Sequence, residues 1–244
     1  MKNTISAVLL LVLSYNVLSQ TSENDMSFAL VQLYTSQGCS SCPSADRLLD
    51  EIKNERSENN VYVMSYHVDY WNRLGWKDPF SRRKFTESQY AYGNKFGNGR
   101  VYTPQAVING ATHFVGSNEA KLKANLVKFS QKRGDNLVIL SDAVKKGNVI
   151  QLNYEVRGNL HDKTLKLALV IDSRKTQVPR GENAGRKLQN SNIVVEEITR
   201  SLDKASGQIS IEIPEVVISE DTLNLIAYIQ KSDLSITGAS GLHL

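Results

Sequence analysis

Residues 27–55 read SFALVQLYTSQGCSSCPSADRLLDEIKNE, and the order of patterns within them decides the fold class. Residues 27–35 are rich in β-branched and aromatic side chains and read as a buried strand. SQGCS is the loop that follows. From Cys42 onward the pattern is helical: Pro43 suits a first helical turn, where its missing N–H costs nothing. Ala45, Leu48, Leu49 and Ile52 recur at helical spacing and give that helix one apolar face. Residues 61–68, VYVMSYHV, form a second strand. Strand, cysteine loop, helix and strand make a βαβ unit, whose short parallel crossover is right-handed.

The loop holds Cys39 and Cys42, the only two cysteines of the 244-residue chain. Such a pair is a staple, a metal clamp or a redox centre. As a staple it closes a loop of about four residues, for a chain-entropy gain of roughly 2 kcal/mol. As a structural zinc site it lacks a second ligand pair, because His67, His113, His161 and His243 are scattered. A copper site of both thiolates with His67 or His113 stays open. The redox reading draws on position. A helix N-terminus has free N–H groups and a positive dipole end, which stabilise a thiolate. Cys39, in the exposed turn, is then the nucleophile, and Cys42, in the first helical turn, resolves the mixed disulfide.

Further along, Asp78-Pro79 reads as the cap and first turn of a helix running to about Phe96. Asn109-Gly110 lies between two short apolar runs, 105–108 and 111–115, and is a strong hairpin signal. Thr103-Pro104 stands directly before that hairpin and is read as a cis-proline that docks substrate backbone beside the cysteines; an ordinary trans loop proline is the alternative. Ser117 is the expected cap of a helix through Arg133. After Gly134 the texture changes. Residues 137–144, 149–157, 164–172, 192–198, 208–213 and 223–230 read as strands, with clear alternation in IQLNYEV and ISIEI. A long polar loop, 173–192, interrupts them. These strands are expected to form a small, separate all-β sandwich.

The first twenty residues, MKNTISAVLLLVLSYNVLSQ, have a basic start, a short apolar run and a polar exit. They read as a signal peptide over residues 1–19, too short for a comfortable membrane span. The expected setting is therefore export, to a periplasm or beyond, where a cysteine pair stays oxidised. About 225 residues then remain, enough for real cores. The formal charge of +4 is spread along the chain, which argues against a nucleic-acid partner.

Four segments carry a family resemblance: LYTSQGCSSCPSADRLL, SYHVDYWNRLGWKDPF, VYTPQAVING and VPRGENAGRKL. The chain resembles the secreted bacterial family catalogued as domain of unknown function 1223. Residues 27–133 also resemble the thioredoxin fold. The resemblance implies an α/β fold, a thioredoxin-like domain over 25–133 followed by a small all-β domain over 137–244. It implies no cofactor and no established activity. The expected function is thiol–disulfide exchange with a protein or small-molecule thiol or disulfide, drawing on an unidentified electron-transfer partner. A metal- or protein-binding module without turnover is the alternative. Thioredoxins carry a buried Asp six residues before the first cysteine; Leu33 stands there, so His67 or Asp69 becomes the candidate proton carrier. His67 as a satisfied buried histidine is the competing reading. Thr103, Pro104, Trp71 and Trp76 are the candidate substrate-docking residues, and Arg180, Glu182, Asn183 and Arg186 either fold over the site or form a solvated loop.

Overall fold

The structure, a computed structural model, describes residues 26–55, 60–97 and 99–244. The signal-peptide segment lies outside the described residues. β1 (Ala29–Thr35) is buried along its whole length. It leads through the cysteine loop into α1 (Pro43–Glu55), which buries Ala45, Leu48, Leu49 and Ile52. Leu48, Leu49 and Ile52 each contribute about 1.5–3 kcal/mol on burial, which keeps α1 docked on the sheet. β2 (Val61–His67) lies parallel to β1, in a register that sets Thr35 beside His67. That register brings the end of β2 to the same sheet edge as the cysteine loop.

α2 (Arg83–Lys95) follows a 3₁₀ turn at Asn72–Leu74. It begins four residues after Pro79, so Asp78 is not its cap. β3 (Gln105–Ile108) and β4 (Thr112–Val115) form a hairpin whose turn residues Asn109 and Gly110 have φ of 49° and 61°. A Cβ at Gly110 would run into the Leu234 backbone, so glycine is required there by space as well as by conformation. α3 (Glu119–Ser130) is capped by Asn118 rather than Ser117: the Asn118 side chain accepts the Lys121 N–H at 3.0 Å.

The C-terminal half overturns the expected fold class. β5 (Asn136–Lys146), β6 (Val149–Gly158) and β9 (Ser206–Glu212) form a three-stranded sheet. β7 (Lys163–Gln177), β8 (Lys187–Ser201), β10 (Leu223–Lys231) and β11 (Ile236–His243) do not join them in a separate sandwich. They extend the N-terminal sheet. One mixed sheet runs β11-β10-β7-β8-β2-β1-β3-β4. With eleven strands and three α-helices among the described residues, the molecule is strand-rich and is not a thioredoxin-like α/β domain followed by a small β sandwich. The physical reason is the open edge of β2, whose outward backbone groups need partners. β8 supplies them. Ser65 pairs with Ile193, the Ser65 hydroxyl donates to the Ser191 carbonyl at 3.0 Å, and the Asn192 side-chain amide donates to the Val63 carbonyl at 2.9 Å.

The long polar loop is also shorter than expected. β7 and β8 run on as a ribbon, leaving only residues 178–186 to connect them. The ribbon's side chains are mostly polar, including the buried Asn190 and Ser191, so no apolar alternation marks it in the sequence.

Paired residues share a face of a sheet. Ser65, on the Val63 face of β2, pairs with Ile193, so the two inner cores lie on one side. There α1 and α3 cover Val31, Leu33 and Ile108, and the three-stranded sheet covers Leu167, Leu169, Ile193 and Leu225. The opposite side packs α2 through Phe85 and Tyr92 on Tyr34, Tyr66, Val170 and Tyr228.

Asn192 has φ of 43°, a left-handed conformation that asparagine tolerates and alanine resists. Asn192→Ala is expected to lower stability by about 2 kcal/mol or more, chiefly by stranding the Val63 carbonyl. Urea unfolding reads this; a loss below about 0.5 kcal/mol would mean that the β2–β8 junction does not rest on the Asn192 amide.

Candidate functional site

Cys39 and Cys42 are joined by a disulfide with Cα atoms 5.5 Å apart, and both residues are 0% exposed. Cys39 was expected in an exposed turn. Ser40 and Ser41 form the exposed tip instead, and Cys39 is turned inward. The turn is tight: the Cys39 N–H donates to the Ser36 carbonyl and the Cys42 N–H to the Cys39 carbonyl. The Cys42 carbonyl then accepts the N–H groups of Ala45 and Asp46, which starts α1.

Thr103 and Trp71 reach the Cys39 sulfur as a directed chain. The Trp71 indole N–H donates to Thr103 Oγ1 at 2.8 Å, and the Thr103 hydroxyl donates to Cys39 Sγ at 3.2 Å. Indole nitrogen is a donor only, so Thr103 must accept there and its own hydrogen is free for the sulfur. The Thr103 carbonyl lies 3.9 Å from the same sulfur and accepts the Ser41 hydroxyl at 3.4 Å. The Thr103–Pro104 peptide bond is cis, and Pro104 is buried against the Gly116 turn, where its carbonyl accepts the Gly116 N–H at 2.8 Å.

Gln37 pins this loop to three distant segments. Its backbone N–H donates to Asp78 Oδ2 at 2.8 Å, and its side-chain amide donates to Asn190 at 3.0 Å. Its side-chain oxygen accepts the Trp76 indole N–H at 3.2 Å. Its carbonyl accepts from the Asn183 amide at 2.9 Å, and the same amide nitrogen donates to the Cys39 carbonyl at 2.9 Å. Glu182 adds a carboxylate that accepts the Ser40 N–H at 2.9 Å. Of the four residues singled out in RGENAGRKL, Glu182 and Asn183 touch the cysteine loop directly; Arg186 holds Asn183 Oδ1 at 2.8 Å.

Beneath the loop lies a buried ionisable cluster. His67 Nδ1 is 2.7 Å from Asp78 Oδ2, with both side chains fully buried, and His67 packs edge-on against Phe80. Asp46 accepts the Thr35 hydroxyl at 2.9 Å and is 3% exposed. Burial pushes the Asp46 carboxyl up to about 7, against the opposing pulls of His67 and the Thr35 hydroxyl. Burial alone would pull the His67 imidazole down, but the Asp78 and Asp46 carboxylates outweigh it and hold the imidazole above its ordinary value. His67 Nε2 is buried without a hydrogen-bond partner among the described residues.

No motif in the sequence marks Asp46 or Asn190 as site residues, and Asp78, which has the chemistry of a helix cap, is instead held by His67 and the Gln37 N–H. Asp46 did leave a signal, since it stands one helical turn after Cys42 and three residues before Leu49, at the border of the apolar face of α1. Asp69 is held by the Thr86 hydroxyl at 2.6 Å, away from this cluster's hydrogen bonds. His113 stacks on Phe96 and its Nδ1 pairs with the Tyr102 hydroxyl at 3.0 Å. Among the described residues no group of three or more His, Cys, Asp or Glu side chains is placed to hold a metal. Nor is any helix among them long and apolar enough to cross a membrane.

Fold and site together define a strand-rich protein with a strapped, buried C-x-x-C disulfide at one sheet edge. The chain belongs to the family of proteins of unknown function designated DUF1223, whose profile matches residues 30–230. A crystallographically solved protein from Agrobacterium tumefaciens is similar at 28% identity, covering 88% of this chain and 93% of its own, with a TM-score of 0.68. HBP35 of Porphyromonas gingivalis is similar at 12% identity, covering 90% of this chain and 76% of its own, with a TM-score of 0.63. The second likeness is one of fold alone. No curated protein matches the chain.

The buried cluster makes stability depend on pH with a definite sign. Asp46 binds its proton more tightly folded than unfolded, so its contribution is fully present below the unfolded carboxyl value near 4 and is lost as pH rises toward about 7. His67, also raised, loses its contribution over a range that starts at its ordinary value and extends upward. The urea midpoint is expected to fall between pH 5 and pH 8, and to fall less in Asp46→Asn. A midpoint that rises over this range, or an identical slope in the variant, would show that Asp46 is not the titrating group.

Proposed function

We propose that this protein is an exported thiol–disulfide oxidoreductase in which Cys39 exchanges with substrate and Cys42 resolves. The observation that carries this reading is the Trp71–Thr103–Cys39 chain. A disulfide sulfur is a weak acceptor and gains little from a hydroxyl, whereas a thiolate gains a charge-assisted bond. The arrangement therefore does most for a reduced Cys39.

In the direction that oxidises substrate, a substrate thiolate attacks Cys39 Sγ. The S–S bond breaks, and its electron pair leaves with Cys42 as a thiolate. Asp46, one helical turn away and near neutral in its titration, supplies the proton that Cys42 takes up. A second substrate thiolate then attacks the substrate sulfur of the mixed disulfide, and Cys39 leaves as a thiolate under the Thr103 hydroxyl. Two substrate thiols become one disulfide, and the protein's pair gains two electrons; the reverse uses the same groups. Here His67 acts through Asp46, by holding positive charge near it. Pro104 fixes the chain that presents Thr103, and Trp76 fixes Gln37. The exported setting fits a pair that stays oxidised until a substrate or an electron partner meets it.

A structural disulfide is the second reading, and the complete burial of both cysteines favours it. Against it stand the short loop closed and the buried Asp46, which a staple does not need.

Redox titration with thiol trapping separates the two. The pair is expected to reduce reversibly at biological potentials, and Cys39→Ala to abolish exchange with a polypeptide disulfide. A pair that stays oxidised under strong thiol pressure, or exchange that survives Cys39→Ala, would sink the oxidoreductase reading. Thr103→Val is expected to slow exchange about tenfold, with the pH profile for alkylation of reduced Cys39 moving upward. An unmoved profile would remove Thr103 from the mechanism.

A further inference from the structure

Residues 178–186 cross from the β7–β8 ribbon to the cysteine loop and hold its main chain at three points, the Glu182 carboxylate also meeting the Ser40 side chain. Asn183 donates its amide to the carbonyls of Gln37 and Cys39, and Glu182 accepts the Ser40 N–H through its carboxylate. The amide N–H and the carboxylate oxygen stand in for the N–H donor and carbonyl acceptor that a polypeptide backbone offers to a neighbouring chain. The segment therefore covers the backbone groups that an incoming extended chain would use beside Cys39.

The segment is built to keep its shape while doing so. The Val178 N–H donates to the Arg186 carbonyl, the Gly185 N–H to the Val178 carbonyl and the Ala184 N–H to the Gly181 carbonyl. Gly181 and Gly185 turn the chain at φ of 79° and 77°. Asn183 is 1% exposed, whereas its neighbours Glu182 and Ala184 are exposed. Gly181 also comes close to Trp76, the residue that holds Gln37. A self-bonded tip of this kind can lift as a unit about the buried Val178, giving up the Asn183 and Glu182 bonds and the close approach of Gly181 to Trp76.

We propose that residues 178–186 are a strap that occupies the polypeptide-docking position beside Cys39, so that the disulfide is closed to small thiols and opens to a polypeptide whose backbone takes the strap's place. The reasoning is one of satisfied polar groups. Lifting the strap takes a buried donor from the carbonyls of Gln37 and Cys39 and an acceptor from the exposed Ser40 N–H, a cost that falls when the incoming molecule replaces the bonds. A polypeptide carries both donors and acceptors along its backbone and does replace them; a small thiol does not. This rests on the oxidoreductase reading for the identity of the attacked sulfur, and it names that reaction's substrate as a polypeptide thiol or disulfide.

The test measures stoichiometric reduction of the oxidised full chain by thiol trapping over time. One reductant is 2-mercaptoethanol; the other is an unstructured peptide carrying a single cysteine, with rates compared per concentration of thiolate. The wild-type protein is expected to react about tenfold or more faster with the peptide. In Asn183→Ala the 2-mercaptoethanol rate is expected to rise about tenfold, and the preference for the peptide to shrink toward none. Glu182→Gln, a surface change that leaves the buried amide in place, is expected to move the same ratio in the same direction by less. Equal 2-mercaptoethanol rates in all three proteins would overturn the proposal, and so would a wild-type protein with no preference for the peptide. Catalysed oxidation of a polypeptide dithiol is measured separately. Failure there with the strap effects intact removes the oxidoreductase reading and leaves the gate standing; turnover without any strap effect does the reverse.

Discussion

The geometry of the cysteine loop depends on Gln37. Four of its polar groups are spent on groups far away in sequence: its N–H on Asp78, its side-chain amide on Asn190, its side-chain oxygen on Trp76 and its carbonyl on Asn183. A fully buried glutamine without those partners would be costly, since each stranded donor or acceptor forfeits its hydration. The cost is avoided only when the segments around Trp76, Asn183 and Asn190 are all in place. The loop that carries the disulfide is thus not preformed by its own sequence. It is assembled by the tertiary structure.

That assembly requires the large sheet. β8 brings Asn190 and Asn192 against β2, and the β7–β8 ribbon carries Asn183 and Glu182 over the cysteines. Had the C-terminal strands closed on themselves as a sandwich, β2 would keep an open edge and Gln37 would lose two of its partners. The same sheet edge gathers Asp46 from α1, His67 from β2 and Asp78 from the following loop. Three ionisable groups buried together are tolerable because they share charge: His67 pairs with Asp78, and Asp46 yields by holding its proton to near neutral pH.

Much of the N-terminal half was legible because its signals are local. Alternation and β-branching mark β1 and β2, Pro43 and the Leu48–Leu49–Ile52 face mark α1, and Asn109-Gly110 marks the β3–β4 turn. The failures have physical causes too. Asp78-Pro79 has the chemistry of a helix start, yet Asp78 is taken by His67 and the Gln37 N–H, and the helix waits until Arg83. Cys39 sits beside exposed serines, yet Asn183, Thr103 and Trp71 reach its surroundings from elsewhere in the chain and it is buried.

By itself, then, the sequence determined the local elements, the hairpin turn and the pairing of two cysteines at a helix start. Each of these is written in the spacing of neighbouring residues and in the conformations that proline, asparagine and glycine allow. Only the tertiary structure decided that β8 completes the edge of β2, that Asp46 is buried under the loop and that residues 178–186 hold the main chain of the cysteine loop. Side-chain alternation says which face of a strand is buried, but the hydrogen bonds of its edges carry no side-chain signature, so the choice of neighbour is made by the whole chain at once.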